Sequence, residues 1–285
     1  MESSADLSEQ IRRIADALER IAPAAPVPVD WRNAPAYVWS GQSAHALDAI
    51  EAPKLDQLRG IDRQKDLLLD NLRRLAWGHA AHDVLLWGAR GMGKSALLRA
   101  GVIRVQSEAP MAMALVQVTA NALDSLPELF RQLGEVRRQF VIFIDDLGFA
   151  EDDTVGPRQL RSWLEGGVEA RPANARLVVT SNRRAILARQ AKEQQGGDDE
   201  GALNRRDAVD DKLALADRFG LTLGFHPCDK NTFVEIIASY AEPLGLAYDE
   251  ADALEFAMRR GQRSGRSAWH YVIELAGKAG KQVSR

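Results

Sequence analysis

The sequence predicts an α/β fold: a five-stranded parallel sheet with helices on both faces, followed by a small all-α domain and preceded by an N-terminal helix and a proline-rich linker. Three observations predict it. Short apolar runs at 84–87, 115–118, 140–144, 176–180 and 221–223 alternate with helix-forming stretches, as the buried strands of a parallel sheet do. The first run leads into a glycine-rich turn at 88–95, and the third ends in two carboxylates, Asp145 and Asp146. From residue 231 onward the apolar spacing is helical, with no further strand pattern.

Bulk properties exclude several classes. The chain has 285 residues, 37 basic and 40 acidic side chains, a net charge of −3 and one cysteine. That balance does not describe a general polyanion binder, although a local basic patch is compatible with it. A single cysteine, Cys228, excludes an internal disulfide framework or a cysteine zinc site and fits a reducing compartment. No apolar run approaches the ~18 residues of a membrane span, and the polar N-terminus lacks a signal-peptide core. These features give the expectation of a cytoplasmic protein with no membrane partner.

Residues 5–21 place Leu7, Ile11, Ile14, Leu18 and Ile21 at spacings of 4, 3, 4 and 3, a heptad seam. A helix this short is marginal alone in water, so the seam calls for a partner, either as a coiled coil or as a docking element. Residues 23–30 are proline-rich and expected to be extended, at ~3.1 Å per residue. Tyr37-Val38-Trp39 reads as a docking segment or an edge strand. The expected divisions are 1–22 for the heptad helix, 23–54 for the linker and docking segment, 55–227 for the α/β domain, and 228–285 for the helical domain.

A turn containing Gly60 and Ile61 opens a helix that runs to about residue 78. One element upstream of a phosphate-binding turn, such a position borders the base of a nucleotide or simply packs. Gly88-Ala89-Arg90-Gly91-Met92-Gly93-Lys94-Ser95 fits G-x-x-x-x-G-K-[ST], between a strand and a helix that begins near Ala96. Backbone N–H groups of the turn and the helix N-terminus point at an anion. Lys94 then reaches the outer phosphates, and the Ser95 hydroxyl is placed to hold Mg²⁺.

The strand at 140–144 brings its C-terminal tip beside that turn. There Asp145 would hold Mg²⁺ through water, and Asp146 would orient or deprotonate an attacking water. The next strand ends in Ser181-Asn182, where the Asn182 amide can sense the outer phosphate or serve only as a turn residue. Helices are expected at 126–136, 158–168 and 211–219. Residues 189–207 are polar and read as an insertion. Past a break at 261–266, Trp269 to Ala279 forms the last helix.

This order of parts resembles the AAA+ ATPases over about residues 55–281. The resemblance maps Asn182 onto the first sensor. It maps Arg218, within Ala216-Asp217-Arg218-Phe219-Gly220, onto the arginine-finger segment of the branch-migration motors. It maps Arg266, within Arg263-Ser264-Gly265-Arg266, onto the second sensor. Arg183 and Arg184 are rival finger candidates. The wording of 165–169, 180–184 and 263–269 is similar to one uncharacterised bacterial AAA+ group, carried as a domain of unknown function and described as a predicted ATPase.

The resemblance implies ATP and Mg²⁺ as cofactors, ATP-driven homo-oligomerisation, and remodelling of an unidentified protein or nucleic-acid partner. One departure is Asp145-Asp146 where many AAA+ motors carry Asp-Glu. The shorter side chain implies slow turnover, and replication initiators and helicase-loader relatives carry the same pair. Two other functions stay open from sequence: a nucleotide-gated adaptor with negligible turnover, and a DNA-associated loader.

Overall fold

The computed structural model describes residues 8–10, 12–14, 29–147, 164, 171–182 and 218–283. Among them the sheet has seven strands: β1 (Ala36–Trp39), β2 (Ala44–Leu47), β3 (Val84–Gly88), β4 (Met113–Val118), β5 (Gln139–Ile144), β6 (Ala175–Ser181) and β7 (Leu221–Phe225). Their order is β2-β1-β4-β5-β6-β3-β7, and every neighbouring pair is parallel except β1 with β2.

The five strands expected from sequence are the block β4-β5-β6-β3-β7. The count of five is corrected by β1 and β2, which fall in the stretch read as linker and docking segment. β1 pairs with β4 from Ala36↔Leu115 to Trp39↔Val118. Its aromatic residues carry it into the core: Trp31, Tyr37 and Trp39 are buried, and the Trp31 and Tyr37 rings lie 4.8 Å apart. Arg138 fastens the entry to this strand, donating from Nη1 to the carbonyls of Trp31 (3.0 Å), Arg32 (3.0 Å) and Ala34 (2.9 Å).

Helices cover both faces because alternate strand residues point to opposite sides. Val84, Leu86, Val141, Phe143 and Val178 pack on one side with α1 (Asp62–Ala76) and α2 (Lys94–Glu108), through Leu68, Leu72, Leu97 and Val105. Leu85, Phe140, Ile142, Leu177 and Val179 pack on the other with Leu126, Leu129, Phe130 and Leu133 of α3 (Leu126–Gly134).

After β7 come α4 (Lys230–Ala241), α5 (Glu250–Arg259) and α6 (Gly265–Lys278). Side chains stop the backbone N–H groups at each start from being orphaned. Asp229 accepts from Thr232 N at 2.8 Å, Asp249 from Asp252 N at 2.9 Å, and Ser264 from Ser267 N at 3.2 Å. Tyr240 meets Trp269 with ring centroids 5.1 Å apart, and Phe256 meets Tyr271 at 5.4 Å, so the three helices share a core. That core is continuous with the α1–α2 face of the sheet.

Of the heptad helix expected over 5–21, residues 8–10 and 12–14 are helical and Ile14 is 59% exposed; its other positions lie outside the described residues. The helix expected at 158–168 (apart from helical Leu164), the insertion 189–207, Arg183, Arg184 and the helix at 211–219 up to residue 217 also lie outside them. Among the described residues no helix is long and apolar enough to cross a membrane.

Candidate functional site

The site is built where β3, β5 and β6 end together. Gly88 closes β3 with φ 124°, and a Cβ there would lie 2.1 Å from the carbonyl oxygen of Phe225 at the end of β7. Ala89 N then donates to that oxygen at 2.8 Å, so the turn leaves the sheet tight against its neighbour. Gly93 opens α2 with φ 91° and offers no side chain to cap it. The helix N-terminus is therefore left to an external acceptor. Ala89, Met92 and Ala96 contribute backbone and packing, Met92 and Ala96 being buried.

Lys94 is only 6% exposed. All three of its ammonium donors are used: Gly88 O at 2.9 Å, Ala89 O at 2.9 Å and Asn182 Oδ1 at 2.8 Å. Burial lowers its pKa, against the opposing pull of Asp146 and Asp145. Asn182, at the tip of β6, donates from its amide to Asp146 Oδ1, which links the lysine to the second carboxylate. Ser95 Oγ donates to Asp145 Oδ1 at 2.6 Å. Thus Lys94, Asn182 and Asp146 form one bonded path beside the Ser95–Asp145 pair, and Thr180 joins the two through bonds to Asp145 and to Asp146 N.

A cleft of about 160 Å³ opens over this network. Its charged lining consists of Arg90, Lys94, Arg99 and Arg266 against Asp145 and Asp146, a net charge of +2. Arg266 enters from the first turn of α6, whose N–H donates to Gly91 O at 3.1 Å. A site of this sign and depth attracts a compact polyanion. The Ser95 hydroxyl and the Asp145 carboxylate are hard oxygen donors side by side, the set Mg²⁺ takes when phosphates and water complete its shell. Among the described residues there is no group of three or more His, Cys, Asp and Glu that could hold a metal ion.

Three expected residues stand apart. Gly60, with φ 74°, turns so that a Cβ would meet Thr232 Cγ2 at 2.4 Å, and Ile61 is buried with its Cδ1 3.8 Å from where a Cβ of Gly93 would be. Both flank the phosphate turn without lining the cleft. Arg218 lies in the turn before β7, exposed, at the end of the sheet where Val84 pairs with Leu221. That is the end opposite the phosphate turn, so within one chain Arg218 is remote from the cleft.

Two contributors were missed in the sequence. Thr180 Oγ1 donates to Asp145 Oδ1 at 2.6 Å and accepts from Asp146 N at 2.7 Å. Its only signal was a hydroxyl closing an otherwise apolar run. Arg99, one helical turn after Ser95, donates to Ser95 O at 3.3 Å and lines the cleft. The i,i+4 spacing from the end of the motif could have found it.

A family profile described as "Protein of unknown function (DUF815)" matches residues 32–279. The chain belongs to this family. No curated protein matches it. Among solved structures it is similar to the Aeropyrum pernix ORC1 protein in complex with DNA, with a TM-score of 0.56 and 18% identity over 79% of this chain and 63% of that one. It is also similar to a point mutant of Thermotoga maritima RuvB, with a TM-score of 0.51 and 20% identity over 80% of this chain and 67% of that one. Domain III of the Thermotoga maritima replication initiation protein DnaA matches with a TM-score of 0.48 and 17% identity over 79% and 88%. The chain thus spans under two thirds of the ORC1 chain's length and about two thirds of the RuvB chain's. At these identities the likeness concerns the fold alone.

Proposed function

We propose that this chain binds ATP with Mg²⁺ in the cleft and hydrolyses it, and that the cycle drives assembly of several copies and remodelling of a macromolecular partner. The observation that carries the reading is the bonded path Lys94–Asn182–Asp146 beside the Ser95–Asp145 pair. It supplies a phosphate-binding cation, a sensing amide, a proton acceptor and a metal-binding oxygen pair within one cleft. The net charge of +2 of that cleft complements the net −2 of a magnesium–triphosphate pair.

In this reading Lys94 exchanges the carbonyls of Gly88 and Ala89 for phosphoryl oxygens, while Ser95 and Asp145 hold Mg²⁺. The metal would neutralise the charge developing on the phosphates. Asp146 accepts the proton of the attacking water, and Asn182 fixes the orientation of its carboxylate. Gly60 and Ile61 border the base, and Arg266 closes the helices α4–α6 over the phosphates as a lid. Arg218, remote from its own cleft, reaches the cleft of a neighbouring copy; Arg183 and Arg184 are the rivals for that role.

Phosphate release and nucleotide binding test the reading together. Wild type should bind ATP and turn over with Mg²⁺, Lys94→Ala should lose binding, and Arg218→Ala should bind but lose turnover. Mixing Arg218→Ala with an excess of Asp146→Asn chains should restore turnover if the arginine acts between subunits. Wild-type turnover no higher than that of Lys94→Ala would overturn the hydrolytic reading, and wild-type rates from Arg218→Ala would overturn the finger.

A further inference from the structure

We propose that Thr180 is the positioning residue that sets Asp145 and Asp146 in their separate roles, so that metal binding and water activation both depend on one buried hydroxyl. This rests on the ATPase reading above. β5 and β6 stay paired through Ile144↔Val179, and the strands part at the next residues, Asp145 and Thr180. One further link, Leu147 N to Thr180 O at 2.8 Å, ties the chain back after the turn. Between these two backbone links β5 must change direction, and it does so at Asp146, whose φ is 53°. A non-glycine residue rarely adopts that left-handed backbone and needs its surroundings to hold it there.

The Thr180 hydroxyl supplies the hold. It is 1% exposed. As an acceptor it takes the Asp146 N–H at 2.7 Å, which fixes the left-handed turn and aims the Asp146 side chain at Asn182. As a donor it gives its proton to Asp145 Oδ1 at 2.6 Å. The same Oδ1 receives the Ser95 hydroxyl at 2.6 Å. Once Ser95 turns to a metal, Thr180 is the donor that still orients Asp145. A hydroxyl has one proton and two lone pairs, so serine can reproduce both bonds and isosteric valine neither. Outer hydrogen bonds of this kind orient the groups that hold the metal.

The test compares wild type, Thr180→Val and Thr180→Ser in the full chain, with Lys94→Ala as reference. Three readouts are taken: the turnover number, the Mg²⁺ concentration for half-maximal turnover, and the affinity for a fluorescent ADP analogue with and without Mg²⁺. Thr180→Val should lower turnover and weaken Mg²⁺ dependence by roughly tenfold or more each, by analogy with other outer partners of metal ligands. Its affinity for the ADP analogue without Mg²⁺ should stay at the wild-type value, and the gain on adding Mg²⁺ should shrink. Thr180→Ser should recover most of both losses.

Wild-type Mg²⁺ dependence from Thr180→Val would overturn the assignment. So would a Thr180→Ser chain as impaired as Thr180→Val, because the methyl group and not the hydroxyl would then matter. Loss of ADP-analogue affinity without Mg²⁺ in Thr180→Val would also count against it, as a general packing effect. A wild-type chain indistinguishable from Lys94→Ala in every readout would overturn the ATPase reading itself and this inference with it.

Discussion

The carbonyl of Gly91 accepts the backbone N–H of Arg266 at 3.1 Å, so the phosphate turn and the first turn of α6 are joined main chain to main chain. Behind that bond sits Ser264, 1% exposed, its hydroxyl engaged with Ser267 in the cap of α6. The C-terminal helices are thereby fastened to the glycine turn that lines the cleft. Movement of that turn on ligand binding has a direct route into them.

Gly91→Ala tests this joint. Its φ is 78°, and a Cβ would lie 3.0 Å from both Arg266 Cβ and Ser264 Oγ. Left-handed backbone costs an ordinary residue about 1–2 kcal/mol before any contact is considered. Ser264 is held by its own hydrogen bonds and cannot swing aside cheaply. The expected outcome is a loss of about 2 kcal/mol in denaturant unfolding together with weaker ATP binding. An alanine chain with wild-type stability and affinity would show that the joint yields easily.

Asp146→Asn separates proton transfer from geometry. Its amide oxygen can still accept from Asn182 Nδ2, and its backbone N–H can still donate to Thr180 Oγ1 at 2.7 Å. The turn should therefore keep its shape and lose only the base. Turnover should fall by about 100-fold or more while ATP affinity stays near wild type. Single-turnover phosphate release alongside equilibrium binding makes the comparison. An unchanged rate would assign the proton to another acceptor.

Most of the central block of the sheet is legible because β3, β4, β5 and β6 are largely buried and read as mainly apolar runs. Phe140 to Ile144 is the plainest case. β2 is not, since the four residues Ala44–Leu47 give too short a pattern and their exposed edge position removes the apolar signal, while β1 shows in sequence only as Tyr37-Val38-Trp39, a docking segment or an edge strand. The proline-rich stretch before them has the composition of a linker. What fastens the entry to β1 is Arg138, more than 100 residues away in sequence from Trp31, and no local pattern announces that partner. In the site, the glycine turn and the two carboxylates carried spacing that chemistry constrains. Thr180 did not, because its role exists only through the pairing of β5 with β6.

Glu108 should give stability an acid limb. It lies between Arg73, bonded through Nε and Nη2 at 2.8 Å each, and Arg104 at 2.9 Å, and so ties α1 to α2. These guanidinium bonds lower its pKa from 4.5 to about 2. A carboxyl whose folded pKa is depressed stabilises above its unfolded value, and that stabilisation is lost as pH falls through the folded one. Wild type should therefore exceed Glu108→Gln in stability at neutral pH, by no more than about 1 kcal/mol because the pair is partly exposed. The gap should close between pH 4.5 and about 2. Urea unfolding of both chains across that range reads it directly, and a gap independent of pH would mean that charge is not the source.

Cys228 offers a chemical report on the segment between β7 and α4. It is buried against a cavity of about 540 Å³ whose walls include Pro227, Met258 and Arg263, and Arg263 Nε donates to its carbonyl at 3.5 Å. Burial pushes its thiol up to about 11 from 9.0. The reactive thiolate is favoured only as pH rises through that value, so near pH 8 the folded chain should hold about 100-fold less of it than the unfolded one. Iodoacetamide should then alkylate the native protein at least about 100-fold more slowly than the urea-unfolded protein. As the chain has one cysteine, the labelling rate needs no site assignment. Equal rates in both states would mean that the segment joining β7 to α4 opens to solvent far more readily than its packing implies.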